Sequence, residues 1–380
     1  MTTTCTCSCR CGCHDPHVVI VRRLELHDFR NYTDATFELT AGVTAVVGDN
    51  GQGKTNIAEA LAYLATLESF RGVSPDALVR VGTDQAVVRA EIVHEDQREL
   101  LVEAEVNSSG RNRVFVNRQR LIRSRDLLGV LRVSVFAPDD LALVKGGPGE
   151  RRRYLDDALV ALSVKHDAVR RDLERILRQR NTLLKQAGGR LTPEIELTLD
   201  VWDAKLAIAG DELGAARAAL VAGLAPELSA AYEALAGRPT PLGLEYNPAW
   251  RVGGMAAALA LGRQEDLRRQ ISLVGPHRDD LDLSINGMPA RTHASQGEQR
   301  TLALALRLAV HRLVAERTGS APVLVLDDVL SELDAGRATA LLGHLPVGQV
   351  ILTTASALPA AAHPDRVLRI AGGRVIDDES

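Results

Sequence analysis

The stretch that decides the fold is Gly48-Asp49-Asn50-Gly51-Gln52-Gly53-Lys54-Thr55. It fits the pattern G-x-x-x-x-G-K-[ST], a loop whose backbone N–H groups surround nucleotide phosphates. The apolar run at 42–47 predicts a buried strand before the loop, and 56–64 predicts a helix after it. The positive dipole end of that helix also favours an anion. We therefore predict an ATP site, in which Lys54 reaches the β- and γ-phosphates and the Thr55 hydroxyl holds Mg²⁺; the alternative is a glycine-rich hairpin turn.

Composition sets limits on the class of protein. The chain has 380 residues and a net charge of −4, so any nucleic-acid surface has to be a local patch. No apolar run reaches the ~20 residues that a membrane helix needs, and the N-terminus lacks the apolar core of a signal peptide. We therefore expect a cytoplasmic protein with no membrane partner.

All five cysteines lie in one N-terminal tract, at alternate positions from Cys5 to Cys13 and followed by His14. Thiolates and imidazole could form a soft-metal site. The alternative is a disordered extension, or residues upstream of the true start. The C-x-C spacing differs from the C-x₂₋₄-C of structural zinc sites and no second ligand pair follows, so we favour an extension over residues 1–17.

Strand patterns surround the loop. Residues 18–26 predict an edge strand and 35–39 a second strand, while 79–106 and 114–117 predict antiparallel strands. An arginine group lies around the last of these, with few acids nearby. Its members are Arg111, Arg113, Arg118, Arg120, Arg123 and Arg125. The first four are our candidates for DNA-backbone contact, and a solvated charged face is an equal alternative.

Heptad patterns predict a helical arm in the middle of the chain. Residues that are apolar except for His166 and Arg180 step by four and three from Leu155 to Leu183, and apolar residues do so again from Ile195 to Leu220, with a break at Gly188-Gly189. Thr192 and Pro193 suit the N-cap and first turn of the second helix. Matching seams joined by a short turn predict an antiparallel hairpin with arms of about 45 Å, and an ordinary helical bundle is the alternative.

A second set of motifs lies near the C-terminus. Val323 to Asp328 is an apolar strand that ends in two acids, of which Asp327 is predicted to hold Mg²⁺ through water and Asp328 to polarise an attacking water. Ser295-Gln296-Gly297-Glu298-Gln299 precedes this strand, before a leucine-rich helix, and Ser331-Glu332-Leu333-Asp334 follows it. This order is found in the heads of ATP-binding-cassette proteins, where the two phosphate-site strands lie side by side.

The fold class follows from that order. We predict an α/β head of the ATP-binding-cassette type, with a parallel core sheet, an antiparallel β part and an inserted helical or short coiled-coil lobe. The head comprises residues 18–150 and 273–380, and the arm comprises residues 151–272. A transporter ATPase subunit and a structural DNA clamp that holds ATP without turnover are the alternatives to an ATPase switch on DNA.

Four longer motifs carry a closer resemblance. They are Phe29-Arg30-Asn31-Tyr32; Pro138-Asp139-Asp140-Leu141 with 145–148 and 151–156; Gly275-Pro276-His277-Arg278-Asp279-Asp280; and the run from Leu326 to Asp334. Together they resemble the RecF family of bacterial recombination mediators, in the SMC-like branch of the cassette superfamily.

The resemblance implies a weak ATPase that dimerises on ATP, binds single- and double-stranded DNA at gaps, and helps RecR and RecO load RecA. It also implies that Ser295 and Gly297 of one chain meet the γ-phosphate held by the other. Three features depart from the family pattern: the cysteine tract has no recognised counterpart, Ser69-Phe70-Arg71 stands where Ser-His-Arg is expected, and Thr353-Thr354 stands where many cassette ATPases have a switch histidine.

Overall fold

The computed structural model describes residues 17–94 and 96–376, so the cysteine tract lies outside the described residues. The strands are β1 (His17–Phe29), β2 (Tyr32–Glu38), β3 (Val43–Val47), β4 (Gln85–His94), β5 (Glu99–Asn107), β6 (Arg113–Val116), β7 (Gln119–Arg120), β8 (Val133–Phe136), β9 (Leu242–Glu245), β10 (Asp282–Ile285), β11 (Met288–Pro289), β12 (Ser320–Ala321), β13 (Val323–Asp327), β14 (Val350–Thr354), β15 (Arg366–Ala371) and β16 (Arg374–Ile376). The helices are α1 (Lys54–Thr66), α2 (Ala142–Lys145), α3 (Pro148–Leu162), α4 (Lys165–Ala187), α5 (Pro193–Ala236), α6 (Met255–Arg269), α7 (Ala290–His293), α8 (Gln296–Thr318) and α9 (Ala335–Gly343).

One seven-stranded sheet forms the outer β part of the head. Its order is β12-β1-β4-β5-β6-β7, with β2 also paired to β1. The prediction of an edge strand at 18–26 is wrong, because Leu24 in β1 pairs with Phe37 on one side and Ala90 on the other. The side chains of Leu24 and Leu26 are buried, but their alternation does not reveal that both backbone edges of β1 are occupied.

A six-stranded sheet carries the loop and the acidic strand. Its order is β16-β15-β3-β14-β13-β8, and all neighbours are parallel except β15 and β16. The two phosphate-site strands, β3 and β13, are therefore not side by side as predicted. Strand β14 lies between them, with Val350 paired to Val43 on one edge and to Leu324 on the other. This insertion places the carboxyl end of β14 in the middle of the site.

The predicted arm is present, but its first helix is broken. Helix α3 ends at Leu162 because Ser163 adopts an extended conformation, and α4 begins two residues later, so the continuous first arm is wrong. Thr192 caps α5 and Gly188 ends α4 in the left-handed region, as predicted. Helix α5 is 44 residues long, and its C-terminal half packs on α8 of the head. Helix α6 runs from Met255 to Arg269 and packs against α5.

A fully buried arginine fastens the arm helices together. Arg180 in α4 bonds Asp203 in α5 at 2.6 Å, Asp266 in α6 at 2.7 Å and the Ser272 hydroxyl at 2.8 Å. Because burying a guanidinium is costly unless carboxylates surround it, this arrangement fixes how α4, α5 and α6 meet.

The Gly275–Asp280 motif lies at the base of the arm. Asp280 accepts two bonds from Arg151 of α3, at 2.7 and 2.8 Å. Arg217 of α5 bonds both oxygens of Asp156 at 2.9 Å and the Pro276 carbonyl at 2.7 Å. The motif therefore joins the arm helices to the chain that returns to the head.

Candidate nucleotide site

The glycine-rich loop connects β3 to α1 and is tightly enclosed. Gly53 has φ of 111°, a left-handed conformation that favours glycine. A Cβ there would lie 2.8 Å from the Tyr32 hydroxyl oxygen, and a Cβ on Gly48 would lie 2.3 Å from the Ile370 carbonyl oxygen. The loop conformation therefore requires glycine for steric reasons at both ends.

The turn between β1 and β2 supports this loop. The Asn31 amide donates to the Gln52 carbonyl at 2.9 Å, and the Tyr32 hydroxyl donates to the Gly53 carbonyl at 3.0 Å. Asn31 also accepts from Asn56 at 2.7 Å. The sequence identified these residues only as part of a family motif, because their contact with the loop depends on how the two sheets are placed relative to each other.

Lys54 is buried at the start of α1. Its ammonium group donates to the carbonyl oxygens of Gly48 and Asp49, both at 2.8 Å. An ammonium group has three protons, so one further donor is available to a phosphate. The carbonyl bonds hold the cation against the inner side of the loop.

Two hydroxyl groups, one from strand β14 and one from helix α1, converge on one carboxylate. Asp327 at the end of β13 accepts from the Thr353 hydroxyl of β14 at 2.6 Å and from the Thr55 hydroxyl of α1 at 3.1 Å. Burial raises the pKa of Asp327, and the two hydroxyl bonds oppose that shift. Thr55 and Asp327 are thus brought together as predicted, although 272 positions separate them.

Thr353 also contacts the second acid. The Asp328 N–H donates to the Thr353 carbonyl and hydroxyl oxygens, both at 3.1 Å. Asp328 has φ of 51°, and its buried Oδ1 has no hydrogen-bond partner among the described residues. A buried carboxylate oxygen without a protein partner is suited to a water molecule. Sequence reasoning noted Thr353 only as a missing histidine and did not foresee its link to both acids.

A buried glutamate lies behind the loop helix. Glu59 is fully buried in α1 and accepts from Arg30 at 2.8 and 2.7 Å and from the Ser69 hydroxyl at 2.5 Å. Arg71 lies 3.9 Å from the same carboxylate, and its charge also lowers the pKa of Asp327. This places Arg71, whose role the sequence left open, on the acidic side of the site.

Ser295 and Gly297 occupy the N-terminus of α8. Ser295 accepts from the Glu298 N–H at 3.3 Å and donates its own N–H to the Glu298 carboxylate at 2.9 Å, which is a capping box. A Cβ on Gly297 would lie 2.8 Å from the Arg337 guanidinium, which in turn bonds Asp334 at 2.7 Å. In the part of the chain that is described, no hydrogen bond links Ser295 or Gly297 to residues 48–55.

The predicted arginine group is only partly free of acids. Arg113 pairs with Glu105 at 3.5 Å and Arg125 with Asp167 at 2.5 Å, so the expectation of few compensating acids is wrong for these two. The remaining members are exposed and have no carboxylate within 4 Å among residues 17–94 and 96–376. They are Arg111, Arg118, Arg120 and Arg123. Arg118 and Arg120 lie in the β6–β7 hairpin, at the free edge of the seven-stranded sheet.

Family comparison agrees with this head and arm. The model of the RecF/RecN/SMC N terminal domain matches residues 20–366. The Smc head domain of Pyrococcus furiosus superposes with a TM-score of 0.56 at 19% identity, covering 94% of this chain and 96% of that one, which shows a shared fold. The chain is thus an α/β P-loop protein with an SMC-type, ATP-binding-cassette head.

Closer relatives narrow the class. The DNA replication and repair protein RecF of Streptomyces avermitilis is 48% identical, over 88% of this chain and 93% of the relative. That of Kineococcus radiotolerans is 45% identical, over 94% and 100%. A solved structure described as the recombination mediator protein RecF-ATPrS in the RecFOR pathway superposes with a TM-score of 0.87 at 29% identity, covering 95% and 99%. The chain belongs to the RecF family. No helix among the described residues is long and apolar enough to cross a membrane.

Proposed function

We propose that the chain is an ATP-dependent DNA-binding switch of recombinational repair. The observation that carries the proposal is that the hydroxyl groups of Thr55 and Thr353 both bond Asp327 next to the glycine-rich loop. The residues that would surround the nucleotide are Gly48, Asp49, Asn50, Gly51, Gln52, Gly53, Lys54 and Thr55.

The oxygen atoms of Thr55 and Asp327 suit Mg²⁺. This ion prefers hard oxygen ligands, and it commonly takes one or two from the protein and the rest from phosphates and water. The described residues contain no group of three or more His, Cys, Asp or Glu that could hold a metal by themselves, so the phosphates would complete the coordination. When bound, the ion would neutralise charge on the phosphates; Lys54 would hold their oxygens in place.

Asp328 is our candidate for the catalytic carboxylate. Its unpartnered Oδ1 would accept a proton from a water molecule directed at the γ-phosphate, while Thr353 fixes its backbone. Positioned general bases typically contribute about 10²–10⁴-fold. Turnover of this kind would distinguish the switch from a clamp that merely retains ATP.

The N-terminus of α8 would act on a second copy of the chain. In the part of the chain that the structure describes, Ser295 and Gly297 make no hydrogen bond to residues 48–55, so we propose that they meet the γ-phosphate held by Lys54 of a partner. ADP lacks that phosphate, and the homodimer would therefore form with ATP and separate after hydrolysis.

The state of the bound nucleotide would control binding of the protein to DNA. We propose that the head comprises residues 18–150 and 273–380, that the arm comprises 151–272, and that Arg111, Arg113, Arg118 and Arg120 contact the DNA backbone. A related structure is described within the RecFOR pathway, which supports RecR and RecO as partners at gapped DNA and RecA as the protein that is loaded.

Sedimentation velocity with ATP tests the shared site. We expect Ser295→Arg to bind ATP but stay monomeric, because a cation at the interface clashes with the partner's loop and Lys54. Lys54→Ala should also stay monomeric. The mixture can form one intact composite site and should give some dimer, whereas Ser229→Arg, on the exposed surface of α5, should dimerise normally. A Ser295→Arg variant that dimerises alone would overturn the shared site.

A further inference from the structure

The two long helices of the arm carry opposite charge. Helix α4 has seven Lys or Arg residues against three acids, and α5 has two against eight. The whole chain has a net charge of −4, so this division along one hairpin is not a consequence of overall composition. The arm therefore presents an electrically positive side and an electrically negative side.

The positive side is concentrated in one exposed row, which we call the α4 row. Its cations are Arg171, Arg175, Arg178 and Lys185, at steps of four, three and seven residues. These steps follow one face of a helix, and at about 1.5 Å per residue the row is about 21 Å long. The same face also carries one exposed acid, Glu174, which lies three residues after Arg171 and four before Arg178, whereas Ala168, Thr182 and Gln186 on it are neutral.

The cations of the α4 row differ in whether they form ion pairs within the protein. Arg175 pairs with Asp172 at 3.0 Å, but both side chains are well exposed, and such pairs contribute little. Arg171 bonds the buried Asp167 at 2.9 Å and is half exposed. Within the described ranges, no carboxylate lies within 4 Å of Arg178 or Lys185. These two cations remain available to a ligand.

We propose that the α4 row is a second contact surface for the phosphate backbone of duplex DNA, an inference that rests on the proposed function. Each strand of duplex DNA carries one phosphate per about 3.4 Å of helix axis, so about 21 Å of duplex has about six phosphates on one strand, enough for four cations. Helix α4 contains no Phe, Tyr or Trp on which unpaired bases could stack, which favours the duplex over a single strand. The acidic α5 repels DNA, so the duplex passes the arm on the α4 side.

Salt dependence of duplex binding tests this surface. The full-length protein with ATP is titrated onto a fluorescent duplex at a series of salt concentrations, and anisotropy gives the dissociation constant. Each phosphate contact contributes about 0.9 to the slope of log K against log salt. Arg178→Glu/Lys185→Glu should therefore make the slope shallower by about 1.8, with a smaller change for a single strand of the same sequence.

Matched variants control for charge and folding. Arg178→Lys/Lys185→Arg keeps both charges and should keep the slope. Lys205→Glu reverses an exposed cation on α5, over the ring of Trp202, and should also leave the slope unchanged. Within the described ranges neither Arg178 nor Lys185 makes an ion pair, so the melting temperature of the double variant should fall only slightly, chiefly because Lys185 lies in the last turn of α4 and favours the helix dipole.

The outcomes separate this inference from the function beneath it. A wild-type slope in Arg178→Glu/Lys185→Glu, together with a reduced slope in Arg111→Glu/Arg118→Glu, would overturn the α4 row and leave DNA binding by the head intact. A wild-type protein that fails to bind duplex with ATP would overturn both. An equal loss of slope in Lys205→Glu would show a general charge effect and would also overturn the α4 row.

Discussion

Thr353→Val removes one hydroxyl from the centre of the site and keeps its shape. The hydroxyl donates to Asp327 at 2.6 Å and accepts from the Asp328 N–H at 3.1 Å. The Asp328 N–H keeps its second bond, to the Thr353 carbonyl at 3.1 Å. The main effect should therefore fall on Asp327, which loses its shortest hydrogen bond.

The size of the effect follows from that bond. A hydrogen bond to a charged group typically contributes about 1.5–3 kcal/mol, which corresponds to a change of roughly 10- to 150-fold in an equilibrium constant. Because Thr353 lowers the pKa of Asp327 against the effect of burial, its loss should raise that pKa. A protonated Asp327 cannot support Mg²⁺, so the Mg²⁺ concentration needed for half-maximal nucleotide binding should rise, and more steeply at lower pH.

Nucleotide binding measured against Mg²⁺ concentration at several pH values checks this prediction without requiring turnover. ATP hydrolysis with DNA should fall over the same range. Thr353→Ser retains the donor and should behave like the wild type, which separates the hydroxyl from simple packing. If Thr353→Val and wild type have the same Mg²⁺ dependence at every pH, Asp327 does not support the ion through this bond.

Three further changes test other parts of the structure. Asp328→Asn should bind ATP and DNA normally but hydrolyse ATP about 10²–10⁴-fold more slowly in a steady-state assay. Unchanged turnover would show that Asp328 is not the group that accepts the proton from the attacking water. Arg180→Ala strands two buried acids and should lower the free energy of unfolding by about 3–5 kcal/mol in denaturant titration, whereas the exposed Arg178→Ala should change it little. Burial lowers the pKa of His311 from 6.5 to about 4. The folded protein therefore loses stability as the pH falls from 6.5 towards 4, because the unfolded chain takes up a proton at His311 that the folded chain does not. Between pH 7 and pH 5, the free energy of unfolding should fall by about 2 kcal/mol less in His311→Leu than in the wild type. Denaturant titration at the two pH values measures this difference, and His344→Gln, at an exposed position, should behave like the wild type.

The sequence by itself determined the local elements of this protein. The glycine pattern fixes the phosphate loop, because a Cβ at Gly53 or Gly48 would collide with the neighbouring chain. Thr192 and Ser295 begin helices for reasons contained within a few residues, since each accepts from an N–H three positions later. The ordered motifs were enough to predict the cassette head and its inserted arm.

Only the tertiary structure decided which strands and side chains meet. The pairing of β1 on both edges and the position of β14 between β3 and β13 depend on hydrogen bonds between distant segments, which no local pattern encodes. For the same reason Thr353 had no recognisable role until β14 placed its hydroxyl on Asp327 and beside Asp328. The break at Ser163 was also hidden, because the apolar spacing continues through it and only the backbone conformation changes.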